Sequence, residues 1–338
     1  MSRPTTTRDS SDTSSLTQKG GGKTSDRAFN GLALVAGLLV LAILALILIT
    51  TVKQSIPVFQ KEGWHFLTSK TWIPNDPDGP DGPRTAQFGA LAFIYGTLVV
   101  SLLSLIIAVP IAVGIALFLT ELAPMRIRGS VVTVIDLLAA VPSVVFGLWG
   151  IIVLGPFLVP IYRWLHNLVD GVPVLQTVIG EPVSSGRVLM TAGIIVAIMI
   201  VPIITSITRE VFATVPSAEK HAALALGATK WEMIKGVVFP HSFGGMVGAI
   251  MLGLGRAMGE TIAVALVIGA AVQISPNLFS AGDALPSIIV RNWGESSGTY
   301  QAALVGCAVV LFLITVIINY LARIVVSRAE ARLKGSAA

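Results

Sequence analysis

Two ionisable residues, Arg256 and Glu260, stand four positions apart in an otherwise apolar, glycine-rich run. If that run is one helix, the pair lies a turn apart on a single face. A lone ionised side chain at the centre of a bilayer costs roughly 2.5–3.5 kcal/mol or more, so such residues turn inward and partner one another. Two roles suit these residue types. One is an internal ion pair that fixes helix packing. The other is a transit site, because the planar arginine fork donates two parallel hydrogen bonds to an oxyanion. Glu260 would then compete for the fork in the empty state and keep the anion from being trapped. Asp136, beside another apolar run, is read as a packing carboxylate or a further pathway group. Gly244, Gly245, Gly248, Gly253, Gly255 and Gly259 surround the Arg/Glu pair. Small residues at such spacing let helix backbones approach closely, so a packing role against a partner is expected of them before an anion cradle.

Other chemistry is scarce. No Cys/His cluster has metal-ligand spacing, and no nucleophile stands beside a base in the apolar runs. Cys307, the single cysteine, reads as a small core residue. His65, His166 and His241 show no partner pattern. Gly20-Gly21-Gly22-Lys23-Thr24 resembles the end of a nucleotide-binding phosphate loop. The glycine required five positions before Gly22 is Thr17, however, and no strand precedes the segment. No enzymatic activity and no cofactor are expected of this chain, and any ATP that drives it must be bound by a partner.

The elements that position these residues follow from composition. The chain has 338 residues, 54 % hydrophobic and only 12 % charged, with a mean hydropathy of +0.83. Soluble domains carry about 25 % charged residues. Six stretches are long and apolar enough for membrane helices of roughly 20 residues. They are Gly31 to about Val52, Phe88 to Thr120, Ser130 to about Tyr162, Val188 to Ile207, Val237 to Val272, and Tyr300 to Ala322. On this reading Asp136 lies near the start of span three, and Arg256 and Glu260 lie inside span five. Pro110, Pro142, Pro202 and Pro240 sit in or beside the spans as tolerated kinks. An all-α integral membrane protein with six transmembrane helices is expected.

Basic residues place one face in the cytoplasm by the positive-inside rule. The N-terminal tail, the turn with Arg126 and Arg128, the loop with Arg209, Lys220, Lys230 and Lys235, and the basic C-terminal tail all fall on it. Both termini are thus expected in the cytoplasm, and the Lys53–Gln87 loop outside. The Ser/Thr-rich tail lacks aromatics until Phe29 and reads as disordered.

The loop between spans four and five is more elaborate than a turn. Ser217 to Leu226 are mostly helix formers, Gly227 suits a left-handed helix stop, and Thr229 with Glu232 forms a capping box for a second short helix. Such a helix-turn-helix suits docking into another protein's groove, or else lying on the lipid surface.

Ala222-Ala223, Gly227 and Val237-Val238-Phe239-Pro240 resemble the "EAA" loop of ABC-importer permeases. Gly114-Ile-Ala-Leu-Phe-Leu-Thr-Glu-Leu-Ala123, Asp136-Leu-Leu-Ala-Ala-Val-Pro-Ser-Val-Val-Phe-Gly147 and Gly253-Leu-Gly-Arg-Ala-Met-Gly-Glu-Thr-Ile-Ala-Val264 are similar to the PstC-type permeases of bacterial phosphate importers. The likeness runs from about Phe88 to Gly269. His221 stands where the family pattern carries Glu, and Asp136 where Glu is more usual. The resemblance implies a MetI-like helical core plus an N-terminal extra helix, in the bacterial plasma (inner) membrane. It implies ATPase coupling through Glu219, His221, Ala222, Ala223, Gly227 and Pro240, and a phosphate pathway through Arg256, Glu260 and Asp136. It also implies four kinds of partner: the lipid bilayer, a PstA-type second permease, a PstB-type ATPase dimer and a PstS-type extracytoplasmic phosphate-binding protein. No nucleic acid is implied. The domain division is then a disordered tail at 1–30, the first helix and external loop at 31–87, a permease core at 88–325 with its coupling loop at 208–240, and a basic tail at 326–338. The residues alone leave a sulfate or molybdate permease open, and, from another class, a stand-alone secondary transporter or channel. The latter would need no docking loop and would more often show inverted repeats.

Overall fold

The structure, a computed structural model, describes residues 23–74 and 85–335. Within a bilayer every backbone N–H and C=O must be satisfied inside the protein, so apolar segments become helices. Six helical spans result: Arg27–Glu62, Leu91–Leu122, Ser143–Leu168, Leu189–Ala213, Lys230–Gly259 and Gly298–Arg328. The chain divides into two units, one reaching Thr50 and one from Thr51 onward. Helix α1 (Lys23–Glu62) supplies the described part of the first. Its apolar side chains from Phe29 to Ile49 are exposed on every side, as befits a helix facing lipid. Residues 23–30, expected to belong to the disordered tail, are helical instead. Residues 1–22, with Gly20 to Gly22, lie outside the described residues.

In the second unit, α2 (His65–Thr68) leads to a small antiparallel hairpin, β1 (Trp72–Ile73) and β2 (Gln87–Phe88), in the register Trp72 opposite Phe88. Span two is α3 (Leu91–Leu117), extended by a π-turn over Phe118–Leu122. A separate helix α4 (Met125–Ala139) follows. Span three comprises α5 (Ser143–Trp149), a π-turn (Gly150–Leu154) and α6 (Gly155–Leu168). The short α7 (Pro173–Val178) precedes span four, α8 (Leu189–Ala213). Next come α9 (Ser217–Ala225), α10 (Lys230–Met233), a π-turn (Ile234–Val238) and α11 (Phe239–Gly259). The chain ends with α12 (Ile262–Val267), α13 (Leu285–Asn292), a 3-10 turn (Trp293–Glu295) and α14 (Gly298–Gly335).

Two expected spans are corrected. Span three starts at Ser143 rather than Ser130, because Pro142 adopts an extended ψ of 140° at the helix start and a proline disfavours helix in the residue before it. Span five stops at Gly259 rather than continuing to Val272. Glu260 is extended there, with ψ 122°. The Thr261 hydroxyl donates to the Gly259 carbonyl at 3.0 Å, so side chains satisfy the ends that a continuous helix would have paired.

Helix α8 is the hub. Of its most apolar window 61 % is buried, against 28 % for spans two, three and five. Ile195, Ile200 and Ile204 are fully buried in its core cluster. A Cβ at Gly193 would lie 2.9 Å from Leu103, and one at Gly253 2.7 Å from Ile204, so glycines bring α3 and α11 close to α8. A second cluster holds Val58, Phe66, Phe88, Phe93 and Leu285, with Cys307 fully buried as a core residue. Trp72 meets Phe88 and Phe93 edge-on at 5.1 and 5.0 Å.

The segment between α12 and α13 folds back onto span two. Gly96 lies so close that a Cβ there would sit 1.9 Å from the Asp283 carbonyl oxygen. The Leu285 N–H donates to Thr97 Oγ1 at 2.9 Å. Asp283, its side chain fully buried, pairs with Arg291.

Candidate functional site

The break at Gly259 separates Arg256 from Glu260. Glu260 is only 9 % exposed; its Oε1 accepts the Ala263 N–H at 3.4 Å, at the start of α12. It lies among Thr97, Val100, Val264, Ala284 and Pro286. Arg256, by contrast, is exposed. Among the described residues no ion pair joins the two, which corrects the expected one-turn pairing: the Glu260 carboxylate turns to the start of α12 while Arg256 is exposed. Arg256 has no hydrogen-bond or ion-pair partner among the described residues.

His241, Gly248, Leu252, Arg256 and Gly259 are all exposed, and their spacing of seven, four, four and three residues defines one face of α11. A Cβ at Gly248, Gly255 or Gly259 would meet nothing within 4 Å, whereas one at Gly245 or Gly253 would strike Val211 or Ile204 of α8. The expected partner-facing glycine set is therefore split: two glycines serve packing inside this chain, and three lie in open space. A cavity of about 490 Å³ adjoins the break, lined by Gly259, Thr261, Pro286, Ile289 and Trp293. Asp136 does not join this site. It is exposed on α4, which lies outside span three, and no hydrogen bond or ion pair links it to Arg256 or Glu260 among the described residues.

The loop before span five folds as its residue types dictate. Gly227 stops α9 with φ +89°. Thr229 Oγ1 accepts the Glu232 N–H at 3.3 Å, and the Thr229 N–H donates to Glu232 Oε2 at 2.7 Å. On the inner side Met233, Ile234 and Val238 pack with Ala116, Phe212 and Val215, and Ala223 leans on that cluster. On the outer side His221, Ala222 and Pro240 are exposed, and Leu226 and Trp231 are 90 % and 61 % exposed.

Sequence spacing missed the ties that hold α9. Lys220 Nζ lies 2.5 Å from Glu121 Oε1 in the π-turn of span two. Glu219 Oε2 lies 3.8 Å from His241 Nδ1, a residue without a partner pattern in the sequence. His166 Nδ1 shares a hydrogen bond of 2.8 Å with the Ile179 carbonyl. The Lys220–Glu121 partners are 99 positions apart, so no local signal could have joined them. Among the described residues no three His, Cys, Asp or Glu side chains converge as a metal site would need.

Residues 108–331 match the family profile described as "Binding-protein-dependent transport system inner membrane component". The chain is 40 % identical to the "Phosphate transport system permease protein PstC" of Mesorhizobium japonicum, covering 91 % of each chain. It is 41 % identical to the protein of that name in Pasteurella multocida, covering 87 % of this chain and 89 % of the other. A chain of the crystal structure of a bacterial alginate ABC transporter in complex with an alginate pentasaccharide-bound periplasmic protein superposes with a TM-score of 0.56. That match covers 91 % of this chain and 98 % of the other at 17 % identity, a likeness of fold.

Proposed function

Since this chain belongs to the binding-protein-dependent transport system inner membrane component family, we propose that it is the membrane-spanning subunit of an ATP-driven importer whose cargo is inorganic phosphate. The observation that carries the importer reading is the α9–Gly227–α10 loop. Its inner side is built into the bundle, while Leu226 and Trp231 stand out from it unburied. A membrane turn needs no such apolar prominence, and a groove on a partner ATPase would bury it. The phosphate assignment is supported by relatives about 40 % identical over nine-tenths of the chain.

The chain's own part is to shape the passage and to receive motion; ATP hydrolysis belongs to a PstB-type ATPase dimer. The exposed α11 face carries Arg256 out of this chain, toward a PstA-type second permease on the other side of the passage. There the guanidinium offers paired donors to a phosphate oxyanion delivered by a PstS-type binding protein. Glu260, held beside α12, leaves that fork free rather than neutralising it. Asp136 takes no part in that site. The basic tails and the docking loop face the cytoplasm.

Coupling to an energy source is required on energetic grounds, and ATP hydrolysis by the partner would supply it. Phosphate carries about −1.5 to −2 charges near neutrality, and entry against an inside-negative potential costs about 2.3 kcal/mol per charge per 100 mV. A passive pore would run outward.

The test is radiolabelled phosphate uptake by the assembled complex, in cells lacking other phosphate uptake. Wild type is expected to import phosphate without competition from excess sulfate, and Arg256→Gln to lose uptake while still co-purifying with the ATPase. Import of sulfate or molybdate in place of phosphate would overturn the cargo, and full uptake by Arg256→Gln would overturn the site.

A further inference from the structure

We propose that the Lys220–Glu121 ion pair is the link through which displacement of α9 is passed to the end of span two. This positioning role rests on the reading that an ATPase docks at α9 and α10. Apart from the chain itself, three side-chain contacts of α9 stand out among the described residues, and they differ in kind. Ala223 leans on the cluster of Ala116, Phe212 and Met233, an apolar contact that is non-directional and lets surfaces slide. Glu219 meets His241 at 3.8 Å with side chains 52 % and 39 % exposed, a contact that water screens. Lys220 meets Glu121 at 2.5 Å with side chains only 17 % and 10 % exposed. A close, largely desolvated charge-assisted hydrogen bond is directional, and separating it leaves an uncompensated charge in a poorly hydrated place. Of the three, only this one pulls.

What it pulls on is already irregular. Glu121 lies in the π-turn Phe118–Leu122 at the end of span two, a helical form found mostly as single turns and often at functional sites. The Thr120 carbonyl of that turn accepts a hydrogen bond from Arg128 of α4 at 2.8 Å. One turn is thus held by Lys220 through its side chain and by Arg128 through its backbone. Movement of α9 would draw this turn against α4, and span two, which packs along α8 through Gly193 and Leu103, would follow. Neighbouring residues of α9, Glu219 and Lys220, reach different spans, but only the Lys220 tie is short enough to transmit force.

The experiment uses the complete complex reconstituted in proteoliposomes, with Glu121→Gln, Lys220→Gln, and the exchanged pair Glu121→Lys with Lys220→Glu. Three quantities are read: ATPase retained on purification, ATP hydrolysis stimulated by phosphate-loaded binding protein, and phosphate imported per ATP hydrolysed. The single variants are expected to retain the ATPase and hydrolyse ATP, while phosphate imported per ATP falls about fivefold or more, the lower end of coupling between linked sites. The exchanged pair is expected to recover most of that ratio, while a role in folding alone would lower ATPase retention and hydrolysis in the single variants along with it. An unchanged ratio in the single variants overturns the link. So does loss of the ATPase from them, which would make the pair an assembly contact, and so does an exchanged pair no better than the singles. Failure of wild type to retain an ATPase brings down the docking reading, and the link with it.

Discussion

Replacing Gly96 by alanine should disrupt the folded-back segment that positions Glu260, although Gly96 is far from it in sequence. The added Cβ would lie 1.9 Å from the Asp283 carbonyl oxygen and 3.0 Å from its carbon. The obstacle is backbone, so no side-chain rotation relieves it, and span two and the Asp283 segment must separate by about 1.5 Å to reach ordinary contact at 3.4 Å. Overpacking of this kind costs about 1–3 kcal/mol. The same separation stretches the 2.9 Å bond from the Leu285 N–H to Thr97 Oγ1, and leaving that buried N–H unpaired costs about 1–3 kcal/mol more. A total of about 2–6 kcal/mol is expected, and at about 2.1 cal/mol/K of unfolding entropy per residue over 338 residues this is a fall of roughly 3–8 °C in the apparent thermal midpoint. Gly114→Ala is the matched control in the same helix, because a Cβ there meets nothing within 4 Å. Fluorescence-monitored melting of the two purified variants makes the comparison. If Gly96→Ala melts with wild type, or if Gly114→Ala falls as far, the close approach is not what holds this segment, and the reasoning fails.

Leu226→Asp changes a side chain that is 90 % exposed, so the thermal midpoint should hold while ATPase affinity in a pull-down titration weakens by more than about tenfold. Gly227→Ala meets no steric obstacle but must adopt φ +89°; a cost of about 1–2 kcal/mol should loosen the loop, seen as faster amide exchange over α9 and α10. Asp283 should give a stability slope with pH. Burial pushes its carboxyl above the usual range despite Arg291, so the folded state binds this proton more tightly than the unfolded one. The group's contribution is then largest below about pH 4, the ordinary carboxylate value, and declines as pH rises through the raised pKa. Melting of Asp283→Asn against pH should lack that decline, and an identical slope in both proteins would refute the assignment.

Much of the loop before span five was legible because its instructions are local. Gly227 supplies a conformation other residues resist, and Thr229 with Glu232 supplies reciprocal caps within one turn. The Arg256–Glu260 pairing failed for an equally physical reason. Four-residue spacing sets two residues a turn apart but not which partner each side chain takes, and hydropathy does not register the stop at Gly259 that offers Glu260 the Ala263 N–H, since Ile262 to Val267 are as apolar as what precedes them. Asp136 was misplaced similarly, because one apolar run contained two helices parted at Pro142.

The sequence by itself determined six membrane helices, the helix-stop-helix before span five, and the likeness to importer permeases. Each depends on residue type within a window of a few turns, where lipid and the backbone's need for hydrogen bonds leave little choice. Tertiary structure decided which side of α11 faces outward, by seating Gly245 and Gly253 against α8 and leaving Arg256 exposed. It also decided that Lys220 meets Glu121 across 99 positions. Partners so distant are chosen by how helices pack, and packing is a property of all the surfaces at once rather than of any one stretch of chain.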